Sequence, residues 1–266
     1  MDLKLQNQHV LITGASKGIG LACARLFLQE GAHVTLVARD TARLETAKAM
    51  LLRDTPDANG RVAVLSADLK DPAQASAMVD QAQHMGGPVD ILVNCAGAAQ
   101  RTPPAELNAQ RWLDAMQAKY FTYIHVMDPL IKQMAERGKG VIVNVVGMGG
   151  KVASPIHLPG GSANAALMLA SVGLANAYAR QGVRVNVVNP GLTLTERLQE
   201  GMVADARLQH ISTEEALTLA NARLPLGRIA EPEEIANAVV FLASSRASYV
   251  NGAVVSMDGG LTPMVV

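Results

Sequence analysis

The chain has few aromatic side chains and few cysteines. Aromatic residues are 3% of its 266 positions, and Cys23 and Cys95 are the only cysteines. Neither cysteine lies in a metal-ligand pattern, so both are interpreted as small core residues and no metal is expected. Lys and Arg number 23, as do Asp and Glu, which gives a formal net charge of zero. Binding to nucleic acid or to an anionic membrane is therefore not expected.

Long hydrophobic runs are also missing. Polar residues precede the first apolar run, and no stretch reaches about 18 consecutive apolar residues, the length of a membrane span. We therefore expect neither a signal peptide nor a membrane-spanning segment, and a cytoplasmic protein. Hydrophobic residues still make up 49% of the chain, enough for one large core. One domain over residues 1–266 is predicted.

Short apolar runs alternate with helical patterns along the chain. The runs lie at residues 9–13, 33–38, 62–66, 90–93, 141–146, 183–188 and 253–257. This alternation predicts an α/β fold, a single doubly wound Rossmann-type domain with a seven-stranded parallel sheet and helices on both faces.

Residues 192–224 interrupt this rhythm with a long, mostly helical insertion. Long connections often cover a ligand crevice, so this insertion is predicted to be a substrate lid. Four apolar residues in it either line the substrate pocket or belong to the core: Leu192, Leu194, Met202 and Leu208.

A glycine-rich turn follows the first apolar run. It reads Gly14-Ala15-Ser16-Lys17-Gly18-Ile19-Gly20 and precedes a helical pattern. Glycines allow the backbone to approach a pyrophosphate, and the free N–H groups and positive dipole end of the helix attract it. The turn is therefore predicted to bind a nucleotide cofactor.

The Thr-Gly-x-x-x-Gly-x-Gly spacing of this turn resembles that of the short-chain dehydrogenases/reductases. Further segments match this family in the same order along nearly the whole chain: Asp68-Leu69, Asn94-Cys95-Ala96-Gly97, Val183 to Gly191, Pro225 to Arg228, Glu231 to Ala236 and Asn251 to Gly260. The resemblance implies an NAD(P)-dependent oxidoreductase that acts on an unidentified carbonyl or alcohol. It also implies a homo-oligomer, a dimer or a homotetramer, and the small residues of 163–179 would suit helix packing between subunits.

The resemblance implies which residues bind the cofactor. They are Gly14, Ser16, Lys17, Gly18, Ile19, Gly20, Arg39, Asp68, Leu69, Asn94, Ala96, Gly97, Pro190, Gly191 and Thr193. Arg39 follows the second apolar run, where NAD-selective sites place a carboxylate and a 2′-phosphate needs a guanidinium. Together with Lys17 it predicts NADP(H) rather than NAD(H). The alternative is that Arg39 pairs with Asp40 or Asp68, which leaves the choice of cofactor open.

The catalytic positions depart from the family's pattern. The family uses Asn, Ser, Tyr and Lys, and the matching positions here are Lys119, Gly147, Gly160 and Asn164. A glycine cannot supply a phenol's proton, so the resemblance implies an atypical member without the standard mechanism. No nearby Tyr-x-x-x-Lys offers a shifted alignment. The tyrosines in predicted helices, Tyr120, Tyr123 and Tyr178, are interpreted as packing residues.

Three side chains are the candidates for catalysis: Lys119, His157 and Asn164. Lys119 and Asn164 could have exchanged places across the site, which would keep one cation and one amide there. Otherwise Lys119 is a solvated helix residue. His157 has an ordinary pKa near ~6.5, suited to acid–base work, although a loop histidine is often simply exposed. Ser154 and Ser162 could orient a substrate, with Ser162 more plausible as a helix N-cap.

Three functions fit this pattern. The first and preferred one is an NADP(H)-dependent oxidoreductase with a rearranged site. The second is a catalytically inactive NADP(H)-binding protein. The third is a non-redox enzyme that binds an anionic substrate at the helix start Gly160-Gly161-Ser162, near Lys119 or Lys151.

Overall fold

The computed structural model describes residues 1–97 and 99–264, without the side chains of Ala204 and Leu208. In this part of the chain, seven strands form one parallel sheet in the order β3-β2-β1-β4-β5-β6-β7. The strands are β1 (His9–Thr13), β2 (His33–Ala38), β3 (Val62–Ser66), β4 (Ile91–Asn94), β5 (Gly140–Val145), β6 (Val183–Pro190) and β7 (Val254–Met257). The predicted fold is confirmed, with strand ends shifted by two residues at most.

Helices cover both faces of the sheet. They are α1 (Gly18–Gln29), α2 (Thr41–Asp54), α3 (Pro72–Gly86), α4 (Ala109–Ala115), α5 (Thr122–Glu136), α6 (Leu158–Tyr178), α7 (Glu196–Gln209), α8 (Thr213–Ala222) and α9 (Pro232–Ala243). Apolar residues of α1 and α9 fill the core on one face, and those of α3 and α5 fill it on the other. The strands are buried on both sides, which explains why their sequences read as continuous apolar runs.

The strand order reverses between β1 and β4. β1 pairs with β2 on one side and with β4 on the other, so the connections leave in opposite directions. This arrangement opens a crevice at the carboxyl ends of the two strands, where open α/β sheets bind their ligands.

The insertion at 192–224 folds into α7 and α8. Leu198, Met202, Leu224 and Ile229 form a small separate core, and Leu192 packs against it. Met202 and Leu192 therefore have the second of their two predicted roles, as core residues rather than as the lining of a substrate pocket. Leu194 is 42% exposed, and the side chain of Leu208 lies outside the described residues.

Helix α6 begins earlier than the sequence suggested. It starts at Leu158, with Pro159 in its first turn and His157 as the N-cap residue. Ser162 therefore lies within the helix, and its prediction as an N-cap is wrong. Gly160 is the third residue of α6, so Gly160-Gly161-Ser162 begins two residues after the first residue of the helix.

Residues Pro155–Gln181 are long and apolar enough, by length and composition alone, to cross a membrane. Small and polar residues interrupt this segment, so it contains no long run of consecutive apolar residues. Half of its most apolar window is buried inside the domain. The buried residues of α6 include Leu167, Met168 and Ala175, which join the cores beside the sheet. We therefore interpret it as a core helix.

Candidate active site

A cavity of about 990 Å³ lies at the carboxyl ends of β1 and β4. The glycine turn forms its floor, and the ends of β2, β3 and β4 form one side. The start of α7 closes the other side. Eleven of the predicted cofactor-binding residues line it: Gly14, Ser16, Lys17, Gly18, Ile19, Gly20, Arg39, Asp68, Leu69, Ala96 and Gly97.

Four predicted cofactor-binding residues are not among the residues that line this cavity. Asn94 is fully buried, accepts a hydrogen bond from Thr13 Oγ1 at 3.2 Å and donates one to Asn144 Oδ1 at 3.0 Å. The side-chain amide of Asn94 therefore links β1, β4 and β5, and its predicted contact with the cofactor stays a prediction. Pro190 ends β6, Gly191 and Thr193 follow it, and the contact of these three residues with a cofactor stays a prediction.

The shape of the glycine turn suits a pyrophosphate. Gly14 has φ +67°, and a Cβ there would lie 2.8 Å from the backbone of Ala96. Only glycine allows the turn to lie this close to the end of β4. The N–H groups at the start of α1 are thereby left at the cavity floor, where they can hold an anion.

The adenosine end of the cavity is cationic. Arg39 and Arg43 both line it. Asp40 is already engaged, because its carboxylate accepts from the Arg43 backbone N–H at 3.1 Å as the N-cap of α2. Among the described residues Arg39 forms no ion pair, which removes the alternative that Asp40 or Asp68 neutralises it. The Arg43 guanidinium lies 3.5 Å from the Asp40 carboxylate, so Asp40 is occupied and Arg39 is the cation left for a 2′-phosphate. This arrangement fits NADP(H) better than NAD(H). Arg43 was not among the predicted cofactor-binding residues, although Asp40 as the N-cap of α2 is a signal that could have identified it.

The Lys17 side chain, predicted to bind the cofactor, forms an ion pair with a carboxylate of the protein. Its ammonium lies 2.6 Å from Glu196 Oε2 at the start of α7. The pair joins the glycine turn to the insertion across the cavity, and both side chains are exposed. Lys17 is thus shared between this carboxylate and any phosphate that enters.

Lys119 faces the interior. It belongs to a π-helical turn, Met116–Phe121, and it is the buried residue of that turn. The Lys119 ammonium donates to Tyr123 Oη at 2.8 Å and to the Val145 carbonyl at 3.2 Å. The wider π turn changes the residue register between α4 and α5. The interpretation of Lys119 as a solvated residue is therefore wrong.

The environment of Lys119 disfavours its charge. Burial lowers its pKa to about 7, and repulsion from Arg197 adds to the effect. The ammonium also lies 4.5 Å from the centroid of the Tyr123 ring, a favourable cation–π contact. Burial raises the pKa of Tyr123, so its hydroxyl stays protonated and donates to the Val145 carbonyl. Tyr123 is more than a packing residue because it orients Lys119.

Asn164 also lies near the carboxyl end of β5. Its Nδ2 is 3.5 Å from the Gly147 carbonyl, a weak contact, and its Oδ1 is buried without a partner among the described residues. Lys119 and Asn164 are not hydrogen-bonded to each other. They contact the carbonyls of residues 145 and 147, so a cation and an amide do flank the end of β5. The unpaired Oδ1 requires a donor from a ligand or water.

His157 packs against Gly160. A Cβ at Gly160 would overlap the imidazole and lie 2.8 Å from the Ala99 Cβ. Burial lowers the His157 pKa to about 4, with repulsion from Arg197, Arg101 and Lys119 contributing. His157 is therefore neutral near pH 7. Its Nδ1 is buried and has no hydrogen-bond partner within the described chain. Ser154 is partly exposed beside this loop.

Two arginines complete this part of the site. Arg197 of α7 lines the cavity and donates to the Ala99 carbonyl at 3.1 Å. Arg101 pairs with Asp205 at 2.8 Å. No sequence motif singled out either arginine, because both reach the site from loops and helices distant in sequence.

Comparisons with known proteins agree with this geometry. A family model described as enoyl-(acyl carrier protein) reductase matches residues 14–262. A 3α-hydroxysteroid dehydrogenase of Mediterraneibacter gnavus is 35% identical, over 97% of this chain and 98% of its own length.

Two solved structures extend the comparison. An actinorhodin polyketide ketoreductase with NADPH superposes with a TM-score of 0.92 at 31% identity, covering 97% of this chain and 98% of the other. An NADPH-bound short-chain oxidoreductase from Pseudomonas aeruginosa PAO1, described as containing an atypical catalytic center, has a TM-score of 0.87 at 30% identity. It covers 98% of this chain and all of its own. These relatives confirm an NADP(H)-dependent oxidoreductase of the short-chain dehydrogenase/reductase family.

Proposed function

We propose that this chain interconverts a carbonyl and an alcohol through a non-standard set of side chains. It belongs to the short-chain dehydrogenase/reductase family, whose members carry out this kind of reaction. Lys119 takes the role of the proton donor in this proposal. The observation that carries it is the buried Lys119 ammonium, held by Tyr123 and the Val145 carbonyl beside the nucleotide cavity.

NADPH, when bound, supplies the hydride that adds to the carbonyl carbon of the substrate. An ammonium has three N–H donors, and Lys119 uses two of them on Tyr123 and Val145. The third is left for the substrate oxygen or a water next to it. A pKa of about 7 lets Lys119 give its proton at neutral pH and regain it from solvent. Atoms and charge balance, since one hydride and one proton convert C=O into CH–OH.

Asn164 and His157 have positioning roles in this proposal. The unpaired Oδ1 of Asn164 accepts a hydrogen bond from a substrate hydroxyl or a bound water. His157 contributes a neutral imidazole, because its pKa of about 4 leaves roughly one molecule in a thousand protonated at pH 7. We therefore assign the proton to Lys119 rather than to His157. The atypical centre described for the Pseudomonas aeruginosa relative supports a reductase of this family that works without the usual set.

The test compares Lys119→Met with Lys132→Met, a control on the surface of α5. We expect Lys119→Met to lower kcat for NADPH-dependent reduction by about 10²–10⁴, the usual value of a positioned acid. The dissociation constant of NADPH should stay unchanged. Lys119→Arg should not rescue kcat, since a guanidinium does not release its proton near neutral pH.

The assay uses a panel of ketones, aldehydes and quinones, with NADPH affinity measured separately by fluorescence. Lys119→Met with the kcat of the wild type would contradict the assignment. If the wild type bound NADPH tightly but reduced no member of the panel, carbonyl reduction itself would be in question.

We infer a homo-oligomer from the outer face of α6. Leu169 is 77% exposed and Val172 is 40% exposed on this helix. Apolar side chains on a helix rich in small residues suit packing against a second copy. Light scattering after size-exclusion chromatography tests this, and Leu169→Glu should shift the protein toward monomer.

A further inference from the structure

Arg197 is a cation in the cavity wall without a carboxylate partner. In the described part of the chain its guanidinium makes one hydrogen bond, to the Ala99 carbonyl at 3.1 Å, and no ion pair. Its neighbour Arg101 differs, because Asp205 neutralises it at 2.8 Å. Glu200 also lines the cavity and opposes the lowering of the Arg197 pKa by burial, but it forms no ion pair with Arg197. Arg197 therefore keeps donors that no protein carboxylate satisfies.

The contact with Ala99 places this guanidinium beside the proposed reaction centre. Ala99 lies against Gly160, since a Cβ at Gly160 would be 2.8 Å from the Ala99 Cβ. Arg197 is also close enough to lower the pKa values of Lys119 and His157. The Arg197 guanidinium thus lies near Lys119 and His157, whose pKa values it lowers, and beside Ala99, which adjoins Gly160.

Two of the three cations described in this region, Lys119, Arg101 and Arg197, form no ion pair. Lys119 and Arg197 are both without ion pairs among the residues described, and Arg101 is compensated by Asp205. A cleft with low-dielectric walls and uncompensated cations attracts anions. Planar guanidinium groups bind carboxylates with two parallel hydrogen bonds, the strongest geometry available to them.

We propose that the substrate carries a carboxylate, which binds Arg197 while Lys119 serves the carbonyl or hydroxyl oxygen. The substrate class is therefore an oxo acid and its hydroxy acid. The choice of substrate class rests on the proposed carbonyl–alcohol chemistry, whereas the binding of a carboxylate by Arg197 does not. Arg197 is in this view a specificity-determining residue that acts on substrate binding.

The competing role for Arg197 is to bind a phosphate of the cofactor, since it lines the same cavity. The two roles differ in what the loss of the guanidinium does. A cofactor role predicts weaker NADP⁺ binding in Arg197→Gln. A substrate role predicts unchanged NADP⁺ binding and a selective loss of affinity for acids.

The experiment measures binding by calorimetry to the NADP⁺-loaded protein, so that it does not depend on turnover. The probes are three acids and their methyl esters: acetoacetate, levulinate and 4-oxocyclohexanecarboxylate. We expect at least one acid to bind about tenfold to a hundredfold more tightly than its ester, the range of a charge-assisted hydrogen bond. Arg197→Gln should remove this preference and leave the NADP⁺ dissociation constant within about twofold of the wild type.

Arg207→Gln is the matched control, because it removes the same charge from the exposed end of α7 away from the cavity. It should keep the preference for acids. The proposal is overturned if no acid binds better than its ester, if the preference survives Arg197→Gln, or if Arg197→Gln weakens NADP⁺ binding as strongly as acid binding. An acid that binds through Arg197 but is not reduced would contradict the proposed carbonyl reduction and leave the binding of carboxylates by Arg197 in place.

Discussion

The imidazole of His157 occupies the space into which a side chain at position 160 would project. The glycine and the histidine are therefore a coupled pair, and neither can be exchanged without consequences for the other. The same overlap predicts that a tyrosine introduced at position 160 would not place its phenol in the site. The ring of His157 lies in its path.

This packing predicts the effect of a single methyl group. Gly160→Ala should destabilise the protein by about 1–3 kcal/mol, the usual range for overpacking, because the added Cβ displaces the imidazole. His157→Ala in the same chain should recover part of the loss, because the close contact with the Ala99 Cβ remains. Urea unfolding of the two single variants and the double variant measures the coupling.

Gly173→Ala provides the control for this cycle. Gly173 lies on the same helix with nothing within 4 Å of its Cβ position. We expect a gain of about 0.5–1 kcal/mol there from helix propensity alone. Equal effects at positions 160 and 173 would contradict the overlap with His157.

The buried Lys119 predicts a distinctive pH dependence of stability. Its folded pKa is about 7 and its ordinary value is 10.5. Between these values the unfolded chain binds the extra proton, so the free energy of unfolding rises with pH. The rise lies above pH 7, and below pH 7 both states are charged and the burial penalty acts in full.

Over pH 6.5–9.5 the wild type should gain about 3 kcal/mol relative to Lys119→Met. The kcat for reduction should fall over the same range as the ammonium is lost, while the kcat for alcohol oxidation rises. Lys132→Met should follow the wild type. Parallel stability profiles for the wild type and Lys119→Met would show that Lys119 does not titrate in this range.

The cationic end of the cavity predicts the cofactor preference. Arg39→Ala and Arg43→Ala should each weaken NADPH binding by about tenfold to a hundredfold and leave NADH binding unchanged. The reason is the loss of a guanidinium for the 2′-phosphate. Arg53→Ala, at the exposed far end of α2, is the control. Melting temperatures with each nucleotide report the effect, and an unchanged preference for NADPH in Arg39→Ala would refute its contact with the phosphate.

The ion pair between Lys17 and Glu196 predicts a variant with tighter cofactor binding. Glu196→Gln frees Lys17 for a phosphate and removes a negative charge from the cavity wall. NADPH affinity should rise several-fold at low salt, and the gain should shrink at high salt because the side chains are exposed. Glu214→Gln in α8 is the control. Weaker NADPH binding in Glu196→Gln would instead make the pair a clasp that holds the insertion closed.

The sequence by itself determined the fold and the cofactor cradle. Buried parallel strands need continuous apolar residues, and a bound pyrophosphate needs the glycines at 14, 18 and 20. Short segments of the sequence therefore predict both features. Arg39 was predictable for the same reason, since it directly follows a strand whose end was visible in the sequence.

Only the tertiary structure decided the chemistry around Lys119. A π-helical turn breaks the 3.6-residue period, so the sequence could not show that Lys119 faces inward. The contact of His157 with Gly160 depends on how a loop enters α6, and the approach of Arg197 to Ala99 depends on how the insertion packs over the cavity. These contacts join residues that are far apart in sequence or lie in irregular segments. Their side-chain directions are set by packing, which no local pattern records.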